Sequence, residues 1–147
     1  MATTRSSDAA GMTDPTHSSQ TDPMHSLEPE LNPYLQGCPT RRILDLIGDR
    51  WTVLIVGALA DETRRFSELL RSVDGISQKM LTQTLRAMER DGLLTRTAYL
   101  QVPVRVDYRL TEAGQSLRAP LKVLEDWSIE HFADIRRSRT EYDSLGA

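Results

Sequence analysis

Apolar positions recur at helical spacing through most of the chain and switch to alternation once. Within Ser77–Asp91, at about 100° per residue, Leu81, Leu85 and Met88 share one face, with Met80 and Thr84 at its edge. Lys79, Thr82, Gln83, Arg86 and Arg90 fall on the opposite face, with no carboxylate among those five. Ser77 suits an N-cap and Asp91-Gly92 supplies a stop. Upstream, Ile43, Leu44, Leu46 and Ile47 predict a short helix with Pro39 in its first position, broken by Gly48-Asp49. Arg50–Ala60 follows as a second helix, apolar through Trp51, Val53, Leu54, Ile55, Val56 and Leu59, and is expected to be buried. Gly57 lowers its helix propensity and suggests close packing there.

Arg64-Arg65-Phe66 is an expected short extended pairing, Ser67–Ser72 a third helix and Asp74-Gly75 a turn. Two helices joined by a turn of about four residues, the second presenting basic and amide groups, describe a helix-turn-helix. The period then changes. Leu93–Leu100 and Val104–Leu110 are partly alternating and rich in β-branched and aromatic residues, and Pro103 suits a hairpin tip. Such a hairpin directly after the second helix is a wing. Thr111-Glu-Ala-Gly114 opens a last helical stretch to about residue 139, which Pro120 should kink or divide. Leu121, Leu124, Trp127, Ser128, His131, Phe132 and Ile135 form a stripe broader than a small winged domain needs. Leu121, Leu124, Trp127, Phe132 and Ile135 are therefore expected to meet a second subunit, with packing inside the chain as the alternative. The fold class is mainly α (α+β), a winged helix-turn-helix with a two-stranded wing.

Length allows one domain in 147 residues. Residues 1–31 have few large apolar side chains and are expected to be a disordered tail, leaving a domain over 32–140 and a short tail over 141–147. Net charge is −3, which argues against a nucleic-acid partner until its distribution is considered. Residues 1–37 carry one cation against five acids, whereas 63–110 carry nine cations against five acids. A phosphate backbone would feel that local field.

One cysteine excludes an internal disulfide framework and a cysteine-based zinc cluster. His17 and His25 lack paired ligands at metal spacing, so no metal is expected. No apolar run approaches a membrane span and no secretory signal opens the chain, so a cytoplasmic protein without a membrane partner is expected. No nucleophile–base set, phosphate loop or cofactor motif stands out, and Glu62, Glu68 and Glu112 lack partners for acid–base work. The chain is not expected to be an enzyme or to need a cofactor.

Cys38-Pro39, Leu46-Ile-Gly-Asp-Arg-Trp-Thr-Val-Leu-Ile55, Arg65-Phe-Ser-Glu-Leu69, Gly75-Ile-Ser-Gln-Lys-Met-Leu-Thr-Gln83, Asp91-Gly-Leu-Leu94, Pro103-Val-Arg-Val-Asp-Tyr108 and Leu110-Thr-Glu-Ala-Gly114 occur in one order. In that order they resemble the HxlR-type branch of the MarR-like winged-helix transcription regulators. Asp49 stands where that family more often has Gly. The resemblance implies a homodimeric, sequence-specific regulator of double-stranded DNA, dimerising through N- and C-terminal helices. Repression is the commoner outcome in such proteins and is the one expected.

In this reading Ser77 caps a recognition helix, Ser77–Asp91, whose first amides can meet a phosphate. Gln78, Lys79, Thr82, Gln83 and Arg86 reach the major groove, with Gln83 and Arg86 assigned to bases and Lys79 to phosphate. Arg105 is placed near the minor groove or a flanking phosphate, against an ion pair with Asp107 or Glu112 as the alternative. Arg64 and Arg65 are candidates for backbone contacts. Trp51 is expected in the core.

Cys38 occupies an N-cap position with Arg41 and Arg42 close by, a setting that favours a thiolate. The family commonly carries a cysteine here, and in some members it senses oxidants or electrophiles. A redox or electrophile sensor and an inert, buried sulfur are the two readings. The alternatives for function are control by a small ligand at the dimer interface, or a winged-helix module that binds protein.

Overall fold

The computed structural model describes residues 31–146. The tail expected over 1–31 lies outside the described residues apart from Leu31, as do His17 and His25. Cys38 occupies the N-cap of α1 (Pro39–Ile47), with Pro39 in the first turn, where a missing N–H is harmless. Asp49 begins α2 (Arg50–Leu59), its carboxylate accepting from the N–H groups of Trp51 at 2.9 Å and Thr52 at 3.4 Å. The residue that departs from the family pattern is thus a working helix cap.

β1 (Arg64–Arg65) leads directly into α3 (Phe66–Ser72), whose Glu68 carboxylate reaches back to the Arg65 N–H at 2.8 Å. Gly75, at φ +84°, turns the chain into α4 (Gln78–Arg90), and buried Val73 and Ile76 anchor the turn on either side. β2 (Leu94–Tyr99) and β3 (Arg105–Leu110) form the hairpin, and β1 pairs on the far edge of β3. The sheet is antiparallel in the order β1-β3-β2, with Arg64 opposite Tyr108 and Leu94 opposite Leu110. Then come α5 (Glu112–Ser116), α6 (Arg118–Glu130) and α7 (Phe132–Ser144).

One core unites these elements. Ile55, Val56 and Leu59 of α2 meet Leu69 of α3 and Leu81, Leu85 and Met88 of α4. Leu94, Tyr108 and Leu110 close it from the sheet and Leu121 from α6. Each of these side chains loses most of its contact with water, the main favourable term in such a fold.

Several expectations need correction. Leu54 is about half exposed (47%), because the core takes Thr52, Ile55, Val56 and Leu59 from one face of α2, and Trp51 packs against that core while only partly buried. Arg50 covers Trp51, its guanidinium carbon 4.5 Å from the ring centroid. Gly57 marks no close approach within the chain, since an added Cβ would meet nothing within 4 Å. Pro120 does sit near a division, but the breaks fall at Leu117 and His131. Pro120 itself lies in the first turn of α6, where its missing N–H breaks no helical bond. The last helix runs to Ser144, beyond the boundary placed at 140.

Candidate nucleic-acid interface

α4 is held by its inner face and displays its outer one. Leu81, Thr84, Leu85 and Met88 are buried, and the Thr84 hydroxyl is satisfied by the Met80 carbonyl at 2.8 Å. The Ser77 hydroxyl accepts from the Met80 N–H at 3.0 Å, leaving other first-turn amides pointing outward. At the far end Gly92, at φ +72°, closes the helix, with the Leu93 N–H reaching the Met88 carbonyl at 2.9 Å.

Gln78, Lys79, Gln83, Arg86 and Arg90 are all exposed on the outer side. Thr82 is half-buried and its hydroxyl donates to the Gln78 carbonyl at 2.8 Å, leaving its methyl and the accepting side of its oxygen uncommitted. Glu89 also lies on this side, a carboxylate that the grouping of Lys79, Thr82, Gln83, Arg86 and Arg90 left out.

The wing differs more from expectation. Arg105 grips Asp107 with two parallel bonds, Nε to Oδ1 at 2.8 Å and Nη2 to Oδ2 at 2.9 Å, and lies 5.4 Å over the Tyr99 ring. The ion pair, not an outstretched cation, is therefore what this structure holds, because residues two apart on a strand share a face. Arg65 is exposed on β1, opposite Asp107. Arg64 is committed to the Ser72 hydroxyl at 2.9 Å and to Glu62 at 3.2 Å.

The Arg105 hydrogen bonds, followed by the charges of Arg105 and Arg65, hold the Asp107 carboxyl below its ordinary range, while burial opposes them. Its contribution to stability is therefore complete at neutral pH. It fades as pH falls below about 3.9, the ordinary carboxylate value, and through the lowered folded value. Thermal midpoints measured down an acid series should show a fall in the native chain that Asp107→Asn lacks. Parallel curves for the two proteins would count against the pair.

Sequence reasoning gave Arg96 no role. Alternation along β2 places it on the face of buried Leu94, opposite Tyr108, where it emerges exposed beside α4. Counting in twos from Leu94 was the available signal.

Cys38 is only 6% exposed. Its sulfur lies 2.9 Å from the Thr40 hydroxyl, which itself donates to the Leu31 carbonyl at 3.1 Å. A hydroxyl has one proton to give, so Thr40 cannot donate to the sulfur and to the Leu31 carbonyl at once.

On α6 and α7, Leu124, Trp127 and Phe132 are exposed at 60%, 53% and 59%, and Ile135 is half-buried. Trp127 stacks on His131 with centroids 4.4 Å apart. Leu121 departs from this set: it is 5% exposed and faces the chain's own core, so it is not available to a partner.

A capped helix with an exposed Gln/Lys/Arg face, set in a helix-turn-helix and flanked by a hairpin, defines a winged-helix DNA-binding regulator. Residues 46–136 match the model of the HxlR-like helix-turn-helix family, and the chain belongs to that family. It is 41% identical over 112 residues to the HTH-type transcriptional regulator YtfH of Escherichia coli K12, covering 76% of this chain and 89% of that one. The solved structure of the putative regulator ytfH from Salmonella typhimurium is 40% identical, with a TM-score of 0.69 over 73% of this chain and 96% of that one. HypR, described as a redox regulator and solved in its reduced form, is 36% identical, with a TM-score of 0.60 over 68% of this chain and 98% of that one. Family and relatives are transcriptional regulators, a non-enzymatic class. Among the described residues no helix is long and apolar enough to cross a membrane.

Proposed function

We propose that the chain is a cytoplasmic, sequence-specific transcriptional repressor that grips double-stranded DNA as a homodimer, with α4 in the major groove. The outer face of α4 carries this reading. Gln78, Lys79 and Gln83 stand exposed on a helix whose other side is locked into the core. In this reading Gln83 pairs with an adenine edge and Lys79 meets phosphate, which their exposure supports.

The dimer rests on Leu124, Trp127 and Phe132 together with Val123, all exposed. Large apolar side chains left in water on one side of α6 are an expected mark of a protein–protein contact. Sedimentation at micromolar concentration should give the mass of two chains, and a monomer would overturn that part.

Cys38 is the proposed point of control, supported by the description of HypR as a redox regulator. Its burial implies that an oxidant reaches the sulfur only when the packing around it opens. A second reading is favoured by one observation. A groove of about 590 Å³ between α2 and α6, floored by Val53, Val56, Gly57, Ala60 and Leu121, has the size of a small-ligand site.

Fluorescence anisotropy on the DNA upstream of the protein's own gene tests these together, across a salt series, with reduced and diamide-treated protein. Competitor-resistant binding with a steep salt dependence is expected. Diamide takes one hydrogen from the Cys38 thiol of each of two chains as their sulfurs join and is itself reduced to the hydrazine, and it should weaken binding in the native protein but not in Cys38→Ser. Equal effects on both would end the thiol reading and leave the groove. Failure to enrich any site from genomic DNA would overturn sequence-specific binding.

A further inference from the structure

We infer that the crease between α4 and β2 clamps one sugar–phosphate strand of DNA, with Arg86 and Arg96 as its two jaws. This rests on the reading of α4 as the helix that enters the major groove.

Arg86 and Arg96 come from different elements yet line one open cavity of about 410 Å³. Its floor is apolar, from Phe66, Leu85 and Tyr108, and Thr82 and Glu89 complete the rim. Both arginines are exposed, and neither forms an ion pair with another described residue. Arg64 and Arg105 are each tied to a carboxylate of the chain itself. Two guanidinium groups that line one cavity, with a single carboxylate on its rim and no ion pair to either, leave net positive charge there, and the arrangement favours an anion from outside.

Duplex geometry supplies that anion. Major and minor grooves are divided by a single sugar–phosphate strand. A helix lying in one groove, with a wing over the next, must straddle that strand, and the crease between them is where it passes. A guanidinium fork matches two phosphate oxygens at once.

The wing tip makes the same demand. Residues 97–104 contain no cation, and Leu100 and Val102 are fully exposed there. Charge attraction between the wing and DNA therefore comes from nearer its base, where Arg109 is exposed on β3 and Arg96 on β2, the latter beside α4. Arg86 becomes a phosphate contact in this arrangement, not the reader of a guanine. Glu89, one carboxylate on the same rim, opposes the phosphate.

The test is anisotropy of the full-length chain on a DNA site selected with the native protein, across a salt series, with thermal melts of every variant. Arg96→Gln and Arg86→Gln should each weaken binding evenly on the site and on single-base variants of it. Each should also flatten the slope of log K against log salt by about 1.8 for the dimer, about 0.9 for the one phosphate that each subunit loses. Arg96→Lys should keep that slope with lower affinity, and Glu89→Gln should tighten binding. An unchanged slope in Arg96→Gln, or a loss in Arg86→Gln confined to one base pair, would overturn the clamp alone. If the native protein showed no salt-dependent binding to any selected DNA, the groove-binding reading of α4 would fall and take the clamp with it.

Discussion

Gly114→Ala should destabilise the protein by about 3 kcal/mol, the upper end of the usual range of roughly 1–3 for forcing an extra methyl group into a packed interior. Gly114 is buried at the start of α5, and an added Cβ would collide with the Leu93 carbonyl oxygen. It would also lie 3.0 Å from the Leu93 carbonyl carbon and 3.1 Å from Leu110 Cδ2. The obstacle is backbone, so no rotamer change can relieve it. Nor can the two segments easily separate. The Leu93 carbonyl accepts from the Thr111 N–H at 3.0 Å, the Thr111 hydroxyl donates to the Gly92 carbonyl at 2.6 Å, and the Gly114 N–H donates to that hydroxyl at 3.2 Å. These bonds fasten the end of β3 to the turn that closes α4. Forcing them apart disturbs the recognition helix and the wing together. Urea unfolding at fixed protein concentration would show the loss as a lower midpoint, and a midpoint equal to that of the native chain would refute the packing described for Gly114.

The elements themselves were largely legible because their signals are local. Ser77 and Gly92 bracket α4, and the change from helical spacing to alternation marks the hairpin. What escaped depends on tertiary contacts. Leu121 shares a stripe with Leu124 and Trp127 in sequence, but α2 lies against one side of α6 and takes Leu121 alone into the core. Arg50–Leu59 looks apolar all round, yet only one face meets other elements, leaving Leu54 outside. At His131 no Pro or Gly announces the break between α6 and α7.

Among the candidate site residues, the exposure of Gln78, Lys79, Gln83 and Arg86 followed from the helical wheel. The fate of Arg105 did not, since a strand arginine two residues from an aspartate can face it or reach past it. Cys38 shows the same limit. Its cationic neighbours are visible in sequence, but its burial and its bond to Thr40 belong to the folded chain.

Leu81→Ala should lower stability by about 3 kcal/mol, within the range of roughly 2–5 for removing a buried leucine. Leu81 is fully buried beside Leu85 and Met88, on the face by which α4 is seated. Against a total that is typically about 5–15 kcal/mol, this is a large share, and chemical denaturation should report it directly. DNA binding should respond differently. Once corrected for the unfolded fraction, Leu81→Ala should retain its salt slope and its ranking of operator variants, because none of the exposed groups of α4 has been removed. Gln83→Ala should do the reverse, leaving the denaturation midpoint near that of the native chain while flattening discrimination at the base pair proposed for it. A Leu81→Ala protein that folded with native stability would mean α4 is not seated as described. If its folded fraction lost sequence preference, the inner face would be shaping the reading surface as well as supporting it. The two faces of one helix thus make opposite demands, apolar volume within and uncommitted polar groups outside, and paired stability and binding measurements can tell them apart.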